Sequence, residues 1–199
     1  MSTETAAFSF FNNIFKSLDN MKIVGGLFLD LHKAFDCVDH DILLAKLKFY
    51  GISSKSNKLI ESYLKDRFQR VVLKDEFNNK ITSEWKRVNY GVPQGSILGP
   101  LLFLIYNNDL PKTIDKYAES ILFADDTSII IANTNVHEYK HNIKVAIHEI
   151  NNWFVNNLLT VNFDKTYFLQ FFFTKKQKEI PLQIVTAHSL LLNSNSMKF

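Results

Sequence analysis

Apolar residues fall into short blocks with two different periods. Ala6, Ala7, Phe10, Phe11, Ile14 and Leu18 recur at helical spacing behind Ser2 and Thr3, either of which can cap a first helix. The run Ile23–Leu29 follows a turn and is apolar throughout, which predicts a buried strand slightly weakened by Gly25 and Gly26. Asp39 is placed to cap a helix reaching Tyr50, with Gly51 to end it, and a second helix is expected over about 55–66. Strands are predicted at 71–73 and 81–88, joined across the polar stretch 75–79. Gly91-Val92-Pro93-Gln94-Gly95 reads as a loop, followed by a helix over about 97–108 that Pro111 stops. Two apolar strands, 120–124 and 127–131, flank Asp125-Asp126, a long helix covers 136–156, and strands at 166–173 and 182–186 complete the order. Strands and helices mix without regular alternation, which predicts an α+β fold.

Composition narrows the picture only a little. The 199 residues suffice for one core and a smaller second lobe, and 46% hydrophobic with 22% charged residues is ordinary for a soluble globular chain. Eighteen Phe residues require that many rings be buried. A net charge of +3 permits a nucleic-acid partner without arguing for one. The single cysteine, Cys37, excludes an intrachain disulfide and a multi-cysteine metal site, and agrees with a reducing compartment. The first residues have no basic start followed by an apolar run, and runs such as 101–106 are far too short to span a bilayer. The expectation is an intracellular protein, in cytoplasm or nucleus, without a membrane partner. No repeat or low-complexity linker breaks the chain, so 1–199 is read as one domain.

The candidate chemistry is acidic. Asp125 and Asp126 sit between two almost wholly apolar strands. A solvated hairpin turn is one reading of an Asp-Asp pair. The apolar flanks favour the other, a turn emerging at the edge of a buried sheet, where two repelling carboxylates invite a metal. Asp30 ends the strand at 23–29 and makes a second such position. Were these strand ends neighbours, three carboxylates would form a hard oxygen site suited to Mg²⁺.

Four blocks of sequence carry a resemblance. Phe28-Leu29-Asp30-Leu31-His32-Lys33-Ala34-Phe35-Asp36 resembles the first palm motif of reverse transcriptases of non-LTR retrotransposons. Gly91-Val92-Pro93-Gln94-Gly95-Ser96-Ile97-Leu98-Gly99-Pro100 is similar to the second, and Phe123-Ala124-Asp125-Asp126 to their aromatic-Ala-Asp-Asp box. Asn162-Phe163-Asp164-Lys165-Thr166, after Trp153 and Leu159, is similar to the fourth. Ser62 through Gln69 also resembles the jockey-like group, and the motif segments lie at about 22–36, 91–108, 117–132 and 150–173.

The resemblance implies a right-hand polymerase palm, an antiparallel sheet backed by helices, with partial fingers and no thumb. It implies an RNA-directed DNA polymerase that adds deoxynucleoside triphosphates to a DNA primer on an RNA template, using two Mg²⁺ ions for which Mn²⁺ can substitute. Asp30, Asp125, Asp126 and the Leu31 carbonyl would hold the metals, and Lys165 would donate a proton to pyrophosphate. Phe35 would bar the ribose 2′-hydroxyl, since an apolar ring offers a buried hydroxyl no partner. Gln94 and Gly95 would lie along nucleotide and template, and Phe123 stands where many relatives carry Tyr.

Other features point elsewhere. His137-Glu138-Tyr139-Lys140-His141 fits the zinc-protease pattern but starts a solvated helix and lacks a third ligand, so it is read as coincidence. Asp36, Asp39 and Asp41 are expected to cap the following helix, Cys37 to be a small core residue, and Lys175 to Lys178 to be a solvated turn. Both ends resemble interrupted motifs: the start follows a fingers motif, and Met197-Lys198-Phe199 opens a primer grip. The expectation is weak activity for this chain alone. The alternative is a non-catalytic remnant or domesticated fragment that binds RNA or a protein partner. Oligomeric state is not legible.

Overall fold

A computed structural model describes residues 2–172, 180–182, 184–185, 190–191 and 197–198. In chain order the elements are α1 (Thr3–Asp19), β1 (Ile23–Leu29), α2 (His40–Phe49), α3 (Ser54–Leu64), β2 (Arg67–Gln69), β3 (Val72–Lys74), β4 (Lys80–Thr82) and β5 (Lys86–Val88). Then come α4 (Leu98–Asn107), α5 (Leu110–Ile114), β6 (Glu119–Phe123), β7 (Asp126–Asn133), α6 (Val136–Asn156), β8 (Tyr167–Phe172), β9 (Ile184–Val185), β10 (Leu190–Leu191) and β11 (Met197–Lys198). Helices and a mainly antiparallel sheet mix as the α+β expectation requires. Two compact units form, one from 1–34 with 107–199, the other from 35–106.

The first unit is built on a five-stranded sheet in the order β11-β8-β1-β7-β6. β1 lies at its centre, antiparallel to β7 and to β8, while β11 joins β8 in parallel. Pleat alternation sends the two glycines of β1 to opposite faces, and neither has room for a Cβ. On one side a Cβ at Gly26 would meet Phe171 at 2.9 Å and Phe10 of α1 at 3.4 Å. On the other, a Cβ at Gly25 would collide with the Tyr139 hydroxyl of α6 and with Phe168. The glycines therefore allow rings to close on both faces of the central strand. Phe10, Ile14 and Leu18 of α1 bury against Val24, Ile130 and Phe171. Tyr139, Ile143, Ala146, Ile150, Trp153 and Phe154 form the buried stripe of α6. Ser2 caps α1 and Asn135 caps α6, each accepting backbone N–H donors of the first turn.

In the second unit, Asp39 caps α2 through bonds from the N–H groups of Asp41 (3.0 Å) and Ile42 (2.9 Å), as expected. The strands beyond α3 depart from expectation. The predicted strand at 81–88 is broken, and an unpredicted strand, β2, pairs with β5, while β3 pairs with β4. The register sums differ by one between these ladders, Arg67 facing Val88 and Val72 facing Thr82, which places a bulge on the 82–86 side. Pro111 does not leave coil behind it, because it sits in the first turn of α5, where a missing N–H costs nothing. Phe173, Thr186 and Lys175 to Lys178 lie outside the described residues. No helix among the described residues is long and apolar enough to cross a membrane.

The loop joining β3 and β4 supplies a pH test. Asp75 accepts from the N–H of Phe77 (2.9 Å), the N–H of Asn79 (2.7 Å) and the Asn79 amide (3.0 Å). These donors, Asn79 first, hold its pKa below the ordinary carboxylate value. The contribution is present above the unfolded pKa and lost as pH falls through the lowered folded one. Amide exchange at Asn79, corrected for its intrinsic pH dependence, is expected to lose protection only below the usual carboxylate range.

Candidate active site

The acidic residues converge on one edge of the first unit's sheet. The register of β1 with β7 pairs Leu29 with Thr127, so the next step sets Asp30 opposite Asp126. β6 and β7 form a tight hairpin in which Phe123 pairs with Asp126, leaving Ala124 and Asp125 as its two central residues. Asp126 thus begins a strand, although the sequence placed both aspartates in the turn. Ala124 takes φ +52°, a left-handed conformation costing a non-glycine residue about 1 kcal/mol. Strain of this kind is common beside working residues.

Asp125 is half-buried, and Asp126 keeps more solvent contact. Beside Asp126 lies an apolar cleft of about 290 Å³, lined by Phe10, Phe28, Ile121, Phe123 and Leu169. Although Asp126 is largely exposed, partial burial of its carboxyl raises the pKa above its ordinary value, and repulsion from Asp125, then Asp30, adds to the rise. Among the described residues, no group of three acidic, His or Cys side chains closes around a metal position. The donors are of the hard-oxygen kind, but they form an open edge rather than a cage.

Asn162 organises Asp30 and was missed in the sequence. Its side-chain amide donates to Asp30 Oδ2 at 2.9 Å, and its backbone N–H donates to the Asp30 carbonyl at 2.8 Å. With the His32 N–H donating to the Thr160 carbonyl (2.9 Å), these bonds frame a bridge between Leu31 and Val161. The bridge employs neither the N–H nor the carbonyl of Leu31. Lys165 ends the 3-10 turn Phe163–Lys165 immediately after Asn162, and its side chain is exposed. Asn162 opens the fourth motif block, but nothing local marks it as the partner of Asp30, which lies 132 residues away.

Removing that amide tests the arrangement. Asn162→Ala is expected to cost ~1.5–3 kcal/mol of stability, the range for a hydrogen bond to a charged group. It should also weaken Mn²⁺ binding, followed by electron paramagnetic resonance, by ~10–100-fold, as loss of a ligand-orienting partner does.

The remaining candidates gather in the second unit. The Phe35 ring lies 4.5 Å, centroid to centroid, from that of Phe103 on α4. The Val92 N–H donates to the Phe35 carbonyl at 2.9 Å, and the Gly91 N–H to that of Val38 at 2.8 Å. Gln94 donates from its amide to Asp36 Oδ1 at 2.8 Å, so Asp36 braces this loop rather than capping α2. The Gly91 carbonyl is met by Arg67 Nη2 (2.8 Å) and His40 Nε2 (2.9 Å). Gly95 is exposed at φ +78° with open space where a Cβ would stand. Cys37 is half-buried. His137 and His141 are exposed on the first turns of α6, as a solvated helix start requires.

Comparisons with known proteins identify the family and the fold. Residues 6–195 match the family model described as reverse transcriptase (RNA-dependent DNA polymerase). The probable RNA-directed DNA polymerase from transposon X-element of Drosophila melanogaster is 34% identical over 143 residues, covering 70% of this chain and 15% of the relative. The RNA-directed DNA polymerase from mobile element jockey of the same species is 28% identical over 160 residues, covering 77% of this chain and 17% of the relative. This chain therefore spans less than a fifth of either relative's length. Among solved structures, apo telomerase from Candida tropicalis superposes with a TM-score of 0.61 at 16% identity, covering 90% of this chain and 36% of that one, a likeness of fold. With the motifs, the hairpin and the family match in agreement, the chain belongs to the reverse transcriptase family, as a domain of the non-LTR retrotransposon type.

Proposed function

We propose that this domain adds deoxynucleotides to the 3′-hydroxyl of a DNA primer on an RNA template, with Asp30, Asp125 and Asp126 as its metal carboxylates. The observation that carries the reading is the β1–β7 register, which brings a strand-end acid opposite the Asp125-Asp126 pair. An edge where one carboxyl pKa is raised by burial and further by its acidic neighbours is relieved by a cation. Mg²⁺ fits the oxygen donors, and it commonly binds through one or two carboxylates plus substrate phosphates, so an open edge suits it. The Leu31 carbonyl would add an oxygen, and Mn²⁺ would substitute.

Two such ions, held by Asp30, Asp125 and Asp126, would supply activation of the attacking hydroxyl and stabilisation of charge on the leaving phosphate. The chain's own part is positioning. Asn162 holds the Asp30 carboxylate in one orientation. Lys165 would carry the proton for departing pyrophosphate. The Phe35 ring, steadied by Phe103, would exclude a 2′-hydroxyl. Gln94 offers both donor and acceptor to nucleotide or template, Gly95 allows close backbone approach, and Phe123 presents a ring at the hairpin. Such a polymerase would work in the cytoplasm or nucleus.

The test is Mg²⁺-dependent incorporation of a single deoxynucleotide on a primed RNA by residues 1–199, with Asp125→Asn as control. Incorporation is expected to be weak, and abolished in the variant. RNA binding without incorporation at any metal concentration would favour a non-catalytic fragment instead.

A further inference from the structure

Residues 67–88 form a two-stranded ribbon whose residues are almost all exposed on both faces. Isolated two-stranded ribbons are marginal in water, and this one displays large apolar side chains, including Phe68 at 57% and Trp85 at 60% exposure. Its two faces differ. Alternation along the first strand puts Phe68, Arg70, Val72 and Lys74 on one side. The register sets Arg87 opposite Phe68 and Lys80 opposite Lys74. The Arg70 guanidinium lies 4.7 Å from the centre of the Trp85 ring, so Trp85 shares this face. The bulge opposite Arg70 keeps both strands in phase here.

The face therefore alternates aromatic rings with guanidinium groups, then ends in two lysines, and none of these positions is acidic. Lysines directly opposite each other repel, which an anion between them relieves. Arg87 is paired with the exposed Asp66 at 2.5 Å, a surface contact readily exchanged for phosphate. Rings for bases beside cations for phosphates are the chemistry that grips single-stranded nucleic acid. From Phe68 to Lys74 the strand rises roughly 20 Å, enough for a few nucleotides.

We propose that the ribbon face bearing Phe68, Arg70, Lys74, Lys80, Trp85 and Arg87 binds single-stranded RNA, with bases stacked on Trp85 and Phe68. The choice of RNA over DNA rests on the RNA template assigned above; the grip itself does not depend on catalysis.

The chain has two Trp residues, and Trp153 is buried, so a Trp153→Phe background makes Trp85 the reporter. Adding dodecauridylate should quench Trp85 emission, and duplex RNA of equal charge should not. In fluorescence anisotropy with labelled dodecauridylate, Trp85→Leu and Arg70→Ala should each weaken binding ~10-fold, in line with loss of one stacked base. Lys74→Glu with Lys80→Glu should flatten the salt dependence by about one to two phosphates' worth, whereas Lys116→Ala, an exposed lysine elsewhere, should change affinity less than two-fold. If Trp153→Phe unfolds the chain, the anisotropy series in the native background decides alone.

Affinity within two-fold of wild type for both Trp85→Leu and Arg70→Ala overturns the proposal, as does equal quenching by duplex RNA. Tighter binding of oligodeoxythymidylate overturns the assignment to RNA, and no nucleic-acid binding, with the ribbon instead mediating protein contact, overturns it entirely. Loss of incorporation with ribbon binding intact removes the polymerase reading and leaves the RNA grip. The converse result removes the grip alone.

Discussion

Asp125→Asn is expected to lower single-nucleotide incorporation ~10³-fold or more, which is about 4 kcal/mol of transition-state stabilisation. The magnitude follows from the place of Asp125 in the hairpin. It is one of two central turn residues, half-buried, with Asp126 next in the chain and Asp30 facing Asp126 across the ladder. Asn keeps the size and the turn but removes the negative charge that a divalent ion requires. Stability should therefore move little, or rise, because one repulsive neighbour of Asp126 is gone. Mn²⁺ affinity should fall together with activity, while the unfolding midpoint is maintained. A variant that lost activity only by unfolding would contradict a role in metal binding, and so would one that kept wild-type incorporation.

Gly91→Ala is expected to be the most destabilising small substitution in the second unit, by ~3 kcal/mol or more in urea unfolding. Two costs combine. Gly91 holds φ +80°, a region costly to alanine, and its Cβ would stand 2.8 Å from both the Cα and the carbonyl oxygen of Asp36. Those are backbone atoms and cannot swing aside. The same step would strain the bonds from Gly91 to Val38 and from Val92 to Phe35, and with them the Gln94–Asp36 contact. Gly95 offers the control. Its φ is +78°, but nothing lies within 4 Å of the added Cβ, so Gly95→Ala should cost only the ~1–2 kcal/mol of a left-handed alanine. Equal losses for the two variants would show that the close approach to Asp36 does not govern this loop.

Much of the site was legible locally. The apolar runs around Asp125 and Asp126 predict a hairpin at a sheet edge, and a hairpin is there, with its turn one residue earlier than expected. The shift matters physically: a two-residue turn at Ala124-Asp125 makes Asp126 a strand residue beside an apolar cleft, and this raises its pKa. The β2 strand and the bulge in its partner were not legible. Arg67 to Gln69 is short and mostly exposed, without the alternation that marks a half-buried strand, and only pairing with Lys86–Val88 defines it. Gly25 and Gly26 read as weaknesses in a strand because the rings that press on them belong to α1, α6 and β8.

By itself the sequence determined most of the helices, the strands β1, β6, β7 and β8, the α+β class, the motif order and the candidate acids. It did so because capping, periodicity and turn chemistry act over a few residues and leave their marks there. Only the tertiary structure decided that β1 runs antiparallel to β7, so that Asp30 faces Asp126, and that Asn162 fastens Asp30 from 132 residues away. Strand partners and buried hydrogen bonds are set by the packing of two sheet faces at once, and no window along the chain contains both sides of that contact.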